Sequence, residues 1–146
     1  MASPEVFAAF QSTLNAGWSA TGVVFENEFA QDYTEAGLPF IYVEIYGDSL
    51  DQETVGAPGQ NMWREEGAAY LHVMVKSGSG SGQARTWAKQ LLALFREQSI
   101  VVDVATGEQL HMPQMSVGAG EPGRDFPEYW ALTATIAWYR RDITGA

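Results

Sequence analysis

Cysteine is absent, which removes disulfides, thiolate metal sites and cysteine nucleophiles while saying little about compartment. Bases are scarce and unevenly placed. Eight Lys and Arg stand against eighteen Asp and Glu, a net charge of −10. None of the bases occurs before Arg64, whereas Glu5, Glu26, Glu28, Asp32, Glu35, Glu44, Asp48, Asp51 and Glu53 all precede it. Such a chain is not expected to wrap nucleic acid, because that affinity depends on neutralising phosphates. No stretch approaches the ~20 apolar residues of a membrane span. The opening Met1-Ala2-Ser3-Pro4-Glu5 lacks the basic and apolar regions of a signal peptide. A soluble chain forming a single domain over residues 1–146 is expected.

Catalytic signatures are equally sparse. No serine sits in a Gly-x-Ser-x-Gly elbow, and the two histidines, His72 and His111, support neither a triad nor a metal site without carboxylates from distant segments. Asp48, Asp51 and Glu53 lack the glycine and the distal acid of an EF-hand. Ser77–Gly82 lies between a strand and a helix, as phosphate loops do, but Gln83-Ala84 stands where Lys-Ser/Thr would be required. It reads as a flexible connector with Ser81 capping the helix. Glu65-Glu66 is a pair of carboxylates of the kind that is usually solvated. No enzyme, cofactor or metal is expected.

What is present is strong periodicity. Ala69 to Lys76 alternates like a strand, and from Gln83 to Glu97 the residues Ala84, Trp87, Ala88, Leu91, Leu92 and Phe95 recur with helical spacing. Ser3-Pro4-Glu5 opens an earlier helix with the stripe Val6, Phe7, Phe10 and Leu14, ended by Gly17 at positive φ. Val23–Phe25, Pro39–Tyr46, the hairpin Ile100–Val104 with Glu108–Met112, and Glu128–Arg141 read as strands. Glu26–Gly37 reads as an acidic surface loop, 47–60 as a long arm, 113–127 as a long loop and 142–146 as a loose tail. The expected fold is α+β: a largely antiparallel or mixed sheet of about five to six strands with two helices on one face.

In this order of elements the chain resembles the tail-terminator, or tail-completion, proteins of long-tailed bacteriophages and prophage-like elements. The likeness rests on the Val23–Asn27 and Leu38–Val43 strands, the Gly67–Val75 strand with its glycine-rich turn and the helix Ala84–Phe95. The Val102–His111 hairpin, the Pro113–Gly118 stretch and the last strand Tyr129–Tyr139 complete it. The resemblance implies a virion protein, made in the host bacterial cytoplasm and placed at the head-proximal end of the tail. Its partners would be further copies of itself in a hexameric ring, the tail tube protein and a head-completion or connector protein. DNA would pass through the ring without specific binding, no membrane would be involved, and no catalytic residue is carried over. A head–tail connector, a tube subunit or a small ligand-binding module or enzyme are the competing readings.

A head-to-tail ring needs two different complementary patches on every subunit, and the uneven charge could supply them, although a merely solvated acidic face is the plainer reading. Asp48, Asp51, Glu53, Trp63, Arg64, Arg124, Arg140 and Arg141 are the expected interface residues.

Overall fold

A computed structural model describes residues 3–123 and 125–143. In chain order the elements are α1 (Pro4–Gly17), β1 (Gly22–Phe25), α2 (Gln31–Thr34), β2 (Phe40–Gln52), β3 (Met62–Lys76), α3 (Gly82–Phe95), β4 (Ile100–Asp103), β5 (Glu108–Val117), β6 (Glu121–Pro122) and β7 (Tyr129–Ile143). The sheet runs β1-β2-β3-β7-β5-β4, with the short β6 on β7. Its spine is the antiparallel pair β3 and β7, joined without a slip from Met62–Ile143 to Lys76–Tyr129.

The expectation of an α+β fold holds, and the sheet is mixed, as that expectation allowed, because β1 pairs in parallel with Phe40–Val43 of β2. Strand and helix numbers are corrected. The sheet has seven strands. A third helix, α2, lies inside the acidic Glu26–Gly37 segment, where four residues are too few for a periodic signal. The arm and the loop are also more regular than their glycines and prolines suggested. β2 runs to Gln52 and β3 starts at Met62, so the first part of the arm, 47–52, is strand and the rest forms the tip of the hairpin. β5 extends to Val117 and β6 follows, and β7 reaches Ile143, two residues into the expected tail.

Strand alternation assigns the two faces. Ile41, Val43, Ile45, Ala69, Leu71, Val73, Leu132, Ala134, Ile136 and Trp138 join α1 and α3 in one buried cluster. α1 contributes Val6, Phe10 and Leu14, α3 contributes Ala84, Ala88, Leu91 and Phe95, and the Phe10 and Phe95 rings lie 5.3 Å apart. Burying each large side chain of this layer contributes about 1.5–3 kcal/mol as an upper bound. The opposite face carries a smaller cluster of Val24, Ala30, Phe40, Met74, Tyr129 and Ala131, partly roofed by Tyr33 of α2 and by Phe126. The Tyr129 hydroxyl ties this roof down by donating to the Leu38 carbonyl (2.8 Å). Burial raises its pKa above the usual 10.0, Lys76 partly opposing and Glu128 adding to the shift. The neutral donor therefore persists throughout the neutral range and is lost only under strong alkali.

Helix ends depart from the simple rules. Ser3 is the cap of α1, yet its hydroxyl donates to Glu65 Oε1 (2.8 Å) and makes no bond to the helix backbone. Ser81 makes no side-chain cap either. Gly17 does not adopt positive φ; it packs against α3, where a Cβ would approach Leu94 Cδ2 at 2.9 Å.

Candidate interaction surface

Beyond the α2 roof, no described helix covers the second face of the sheet. Its side chains are Tyr42, Glu44 and Tyr46 from β2, Arg64, Glu66, Tyr70 and His72 from β3, Thr133, Thr135, Tyr139 and Arg141 from β7, and His111 from β5. The residues interlock. His72 is buried, with Nε2 2.7 Å from Glu44 Oε1 and Nδ1 2.6 Å from Thr133 Oγ1. An Nε2–H donor toward the carboxylate and an Nδ1 acceptor toward the hydroxyl satisfy both contacts. Its ring stacks on Tyr42 and Tyr70, at centroid distances of 6.0 and 6.3 Å. His72 is thus a structural pin in the sheet. Nothing in the spacing of residues 44, 72 and 133 announces this trio, because it depends on strand register.

A second knot forms where the arm leaves the sheet. The Arg64 guanidinium lies 3.9 Å over the Tyr139 ring and bonds Glu66 at 3.0 Å. Arg141, 5.3 Å from the same ring, bonds Glu53 at 2.9 Å, and that carboxylate's hydrogen bond raises the arginine's pKa. His111 stacks on Tyr139 from the other side (4.6 Å). Such exposed pairs add little stability singly, but together they fix the root of the arm.

The arm has a built-in twist. Between Gly47 and Ser49 the β2–β3 register shifts by one residue, which leaves Asp48 as a bulge. Gly67 lies opposite, and a Cβ there would collide with the Tyr46 carbonyl oxygen and press on Trp138 Cζ2 at 2.9 Å. The bulge therefore needs glycine in the partner strand. Past it, Leu50, Asp51 and Gln52 continue the ladder to Trp63. The tip is held by buried Asn61, whose Nδ2 donates to the carbonyls of Ala57 (3.1 Å) and Gly56 (3.3 Å), and by the Met62 amide donating to Thr54 Oγ1 (2.8 Å). Val55 at that tip is fully exposed. The arm is thus an ordered projection that carries an uncovered apolar residue.

Of the expected interface residues, Glu53, Arg64 and Arg141 meet at the root of the arm, while Asp48 and Asp51 stand exposed along it. Trp63 is half-buried in β3, in register with Gln52 and Asp142. Arg140 points to the helix-covered face, is 6% exposed, and meets Asp142 at 3.2 Å and Glu5 at 3.9 Å. Arg124 lies outside the described residues. Among the described residues no group of His, Asp and Glu is placed to hold a metal ion, and no helix is long and apolar enough to cross a membrane. A hollow of about 450 Å³ beside α2 is open, and its ionisable groups are Asp125, Glu128 and Tyr129. It offers no paired nucleophile and base.

Comparison with known proteins adds to this geometry. The family described as phage tail terminator protein matches residues 5–138, from the first turn of α1 to Trp138 in β7. No curated protein matches the chain. A solved structure 21% identical to it superposes with a TM-score of 0.59 over 95% of this chain and 94% of its own, a likeness that extends to the fold alone.

Proposed function

The chain belongs to the phage tail terminator family, and on that premise we propose that it closes into a hexameric ring on the head-proximal end of the tail tube. There it ends tube polymerisation and offers the surface to which the head attaches. A structural role in the virion tail follows from the family itself. The observation that carries the finer reading is the extent of the match, residues 5–138, which takes in the arm, the uncovered sheet face and α3 together.

The chemistry of the surface supports a contact role over a catalytic one. Its His72, Glu44 and Tyr42 bond and stack with one another within the sheet, and the hollow they line with Asp125 holds only about 30 Å³, far below a substrate site. A net charge of −10 suits a protein beside which DNA must move without sticking. The partners in this reading are the tube protein below and a head-completion or connector protein above.

Deleting the gene from the phage or prophage that encodes it, followed by electron microscopy of the lysate, tests the proposal. Free tails of uncontrolled length without filled heads are the expected result. Headless tails of normal length would transfer the role to a connector, and normal infectious particles would refute a structural role in joining.

A further inference from the structure

The described bases of this chain fall into two groups. Arg64, Lys76, Arg140 and Arg141 are each held by a carboxylate of the same chain: Glu66 (3.0 Å), Glu128 (3.2 Å), Asp142 (3.2 Å) and Glu53 (2.9 Å). Arg85, Lys89 and Arg96 are different. All three are exposed, and among the described residues none of them meets a carboxylate; Arg85 reaches only the Ser81 hydroxyl. At 100° per residue they fall within about 40° of one another around the axis of α3, on the flank of its buried stripe. They form a basic band on an otherwise acidic molecule.

α3 lies across β3, β7 and β5, with this band turned away from the core. The arm shows the opposite chemistry. Asp48 and Asp51 are exposed and, among the described residues, have no basic partner, and near them Leu50 and Val55 are exposed. The helix flank is basic and the arm acidic.

From this complementarity we propose that the basic flank of α3 in each copy receives the β2–β3 arm of the next. Arg85, Lys89 and Arg96 would face Asp48 and Asp51. The contact is heterologous, made by two different patches of one subunit, which is the arrangement that closes a ring by rotation. Facing charges set the register and suppress the wrong pairing, because like charges brought together cost several kcal/mol. The inference rests on the ring reading above and adds to it the surfaces that touch.

The test is complementation of the gene-deleted phage with charge-swapped chains. One variant carries R85E, K89E and R96E; a second carries D48K and D51K; a third carries all five changes. Every altered side chain is exposed, so circular dichroism and thermal melting should match the unaltered protein. The first two variants, supplied separately, should lower the yield of infectious particles by at least about a hundredfold, the consequence of like charges at every contact. Supplied together they should restore it, since an alternating ring of the two has opposite charges at every contact, and the five-fold variant should restore it alone. Full complementation by either separate variant, or failure of the pair to rescue, would overturn the inference. So would tails of normal length that lack heads when the α3 variant is supplied, because the band would then face the head and not a sister copy. Failure of the unaltered chain to restore tail length would instead count against the ring reading itself.

Discussion

Reversing Arg140 to Glu is expected to unfold the protein or bring it close to unfolding, while the same reversal at its neighbour Arg141 leaves the fold intact. The two residues sit side by side in β7 but face opposite ways. Arg140 is 6% exposed on the helix-covered side, in register with buried Glu65 and between Asp142 and Glu5. A glutamate there would place a further carboxylate among three others and leave nothing positive to meet them. Asp142 and Glu5 are themselves about half exposed, so the cost arises mainly from burying a carboxylate without a partner beside Glu65. An uncompensated charge of that kind costs about 3–5 kcal/mol, a large share of a typical stability of roughly 5–15 kcal/mol. Arg141 lies on the uncovered face, and its bond to Glu53 is an exposed pair of the kind that contributes about 1 kcal/mol or less. Thermal denaturation distinguishes the cases: R140E should lose most or all of its transition and R141E should melt near the unaltered protein. A normal melt for R140E would show that the guanidinium is solvated and not part of the core.

Replacing the arm tip Thr54–Asn61 with Asn-Gly is expected to have the opposite signature, a stable fold with failed assembly. Glu53 and Met62 already pair across the hairpin, the Glu53 amide donating to the Met62 carbonyl at 2.8 Å. A two-residue Asn-Gly turn can close strands at that position. The segment removed packs on itself through Asn61 and carries Val55 into solvent, so the core loses nothing. Melting should shift by only a few degrees, since a change of 1 kcal/mol moves the midpoint of a chain of this size by about 2–8 °C. Infectious yield should fall by roughly tenfold or more, as follows from each 1.4 kcal/mol lost at a contact. Loss of the thermal transition would mean that the tip supports the core, and full infectivity would mean that it touches no partner.

These contrasts show which parts of the molecule the chain declares locally. The stripes Val6, Phe10, Leu14 and Ala84, Ala88, Leu91, Phe95 repeat with the helix period, and the alternation of β3 and β7 repeats with the strand period, so the large core was readable from spacing alone. Register was not. The bulge at Asp48 reverses which residues of β2 face outward, and no periodicity locates it in advance. Arg140 and Arg141 look equivalent as a basic pair, and only the pairing of β7 with β3 turns one inward and one outward. The parallel pairing of β1 with β2 was hidden for a related reason: its crossover holds only the four-residue α2. The serine caps failed for a chemical reason. The Ser3 hydroxyl found a buried carboxylate, Glu65, from a segment 62 residues away.

The acidic arm and the charge division were visible in the composition, whereas the basic half of the proposed contact was not singled out. Arg85, Lys89 and Arg96 share a flank of α3, but their significance appears only once the other described bases are seen to be occupied within the chain.

Electron cryomicroscopy of finished particles at the junction of tail and head tests the central claim most directly. The account predicts a single closed ring of this chain at the head-proximal end of the tube, with the arm of each copy lying against α3 of its neighbour. Copies repeated along the tube would make it a tube subunit, and a junction without the chain would contradict the terminator role.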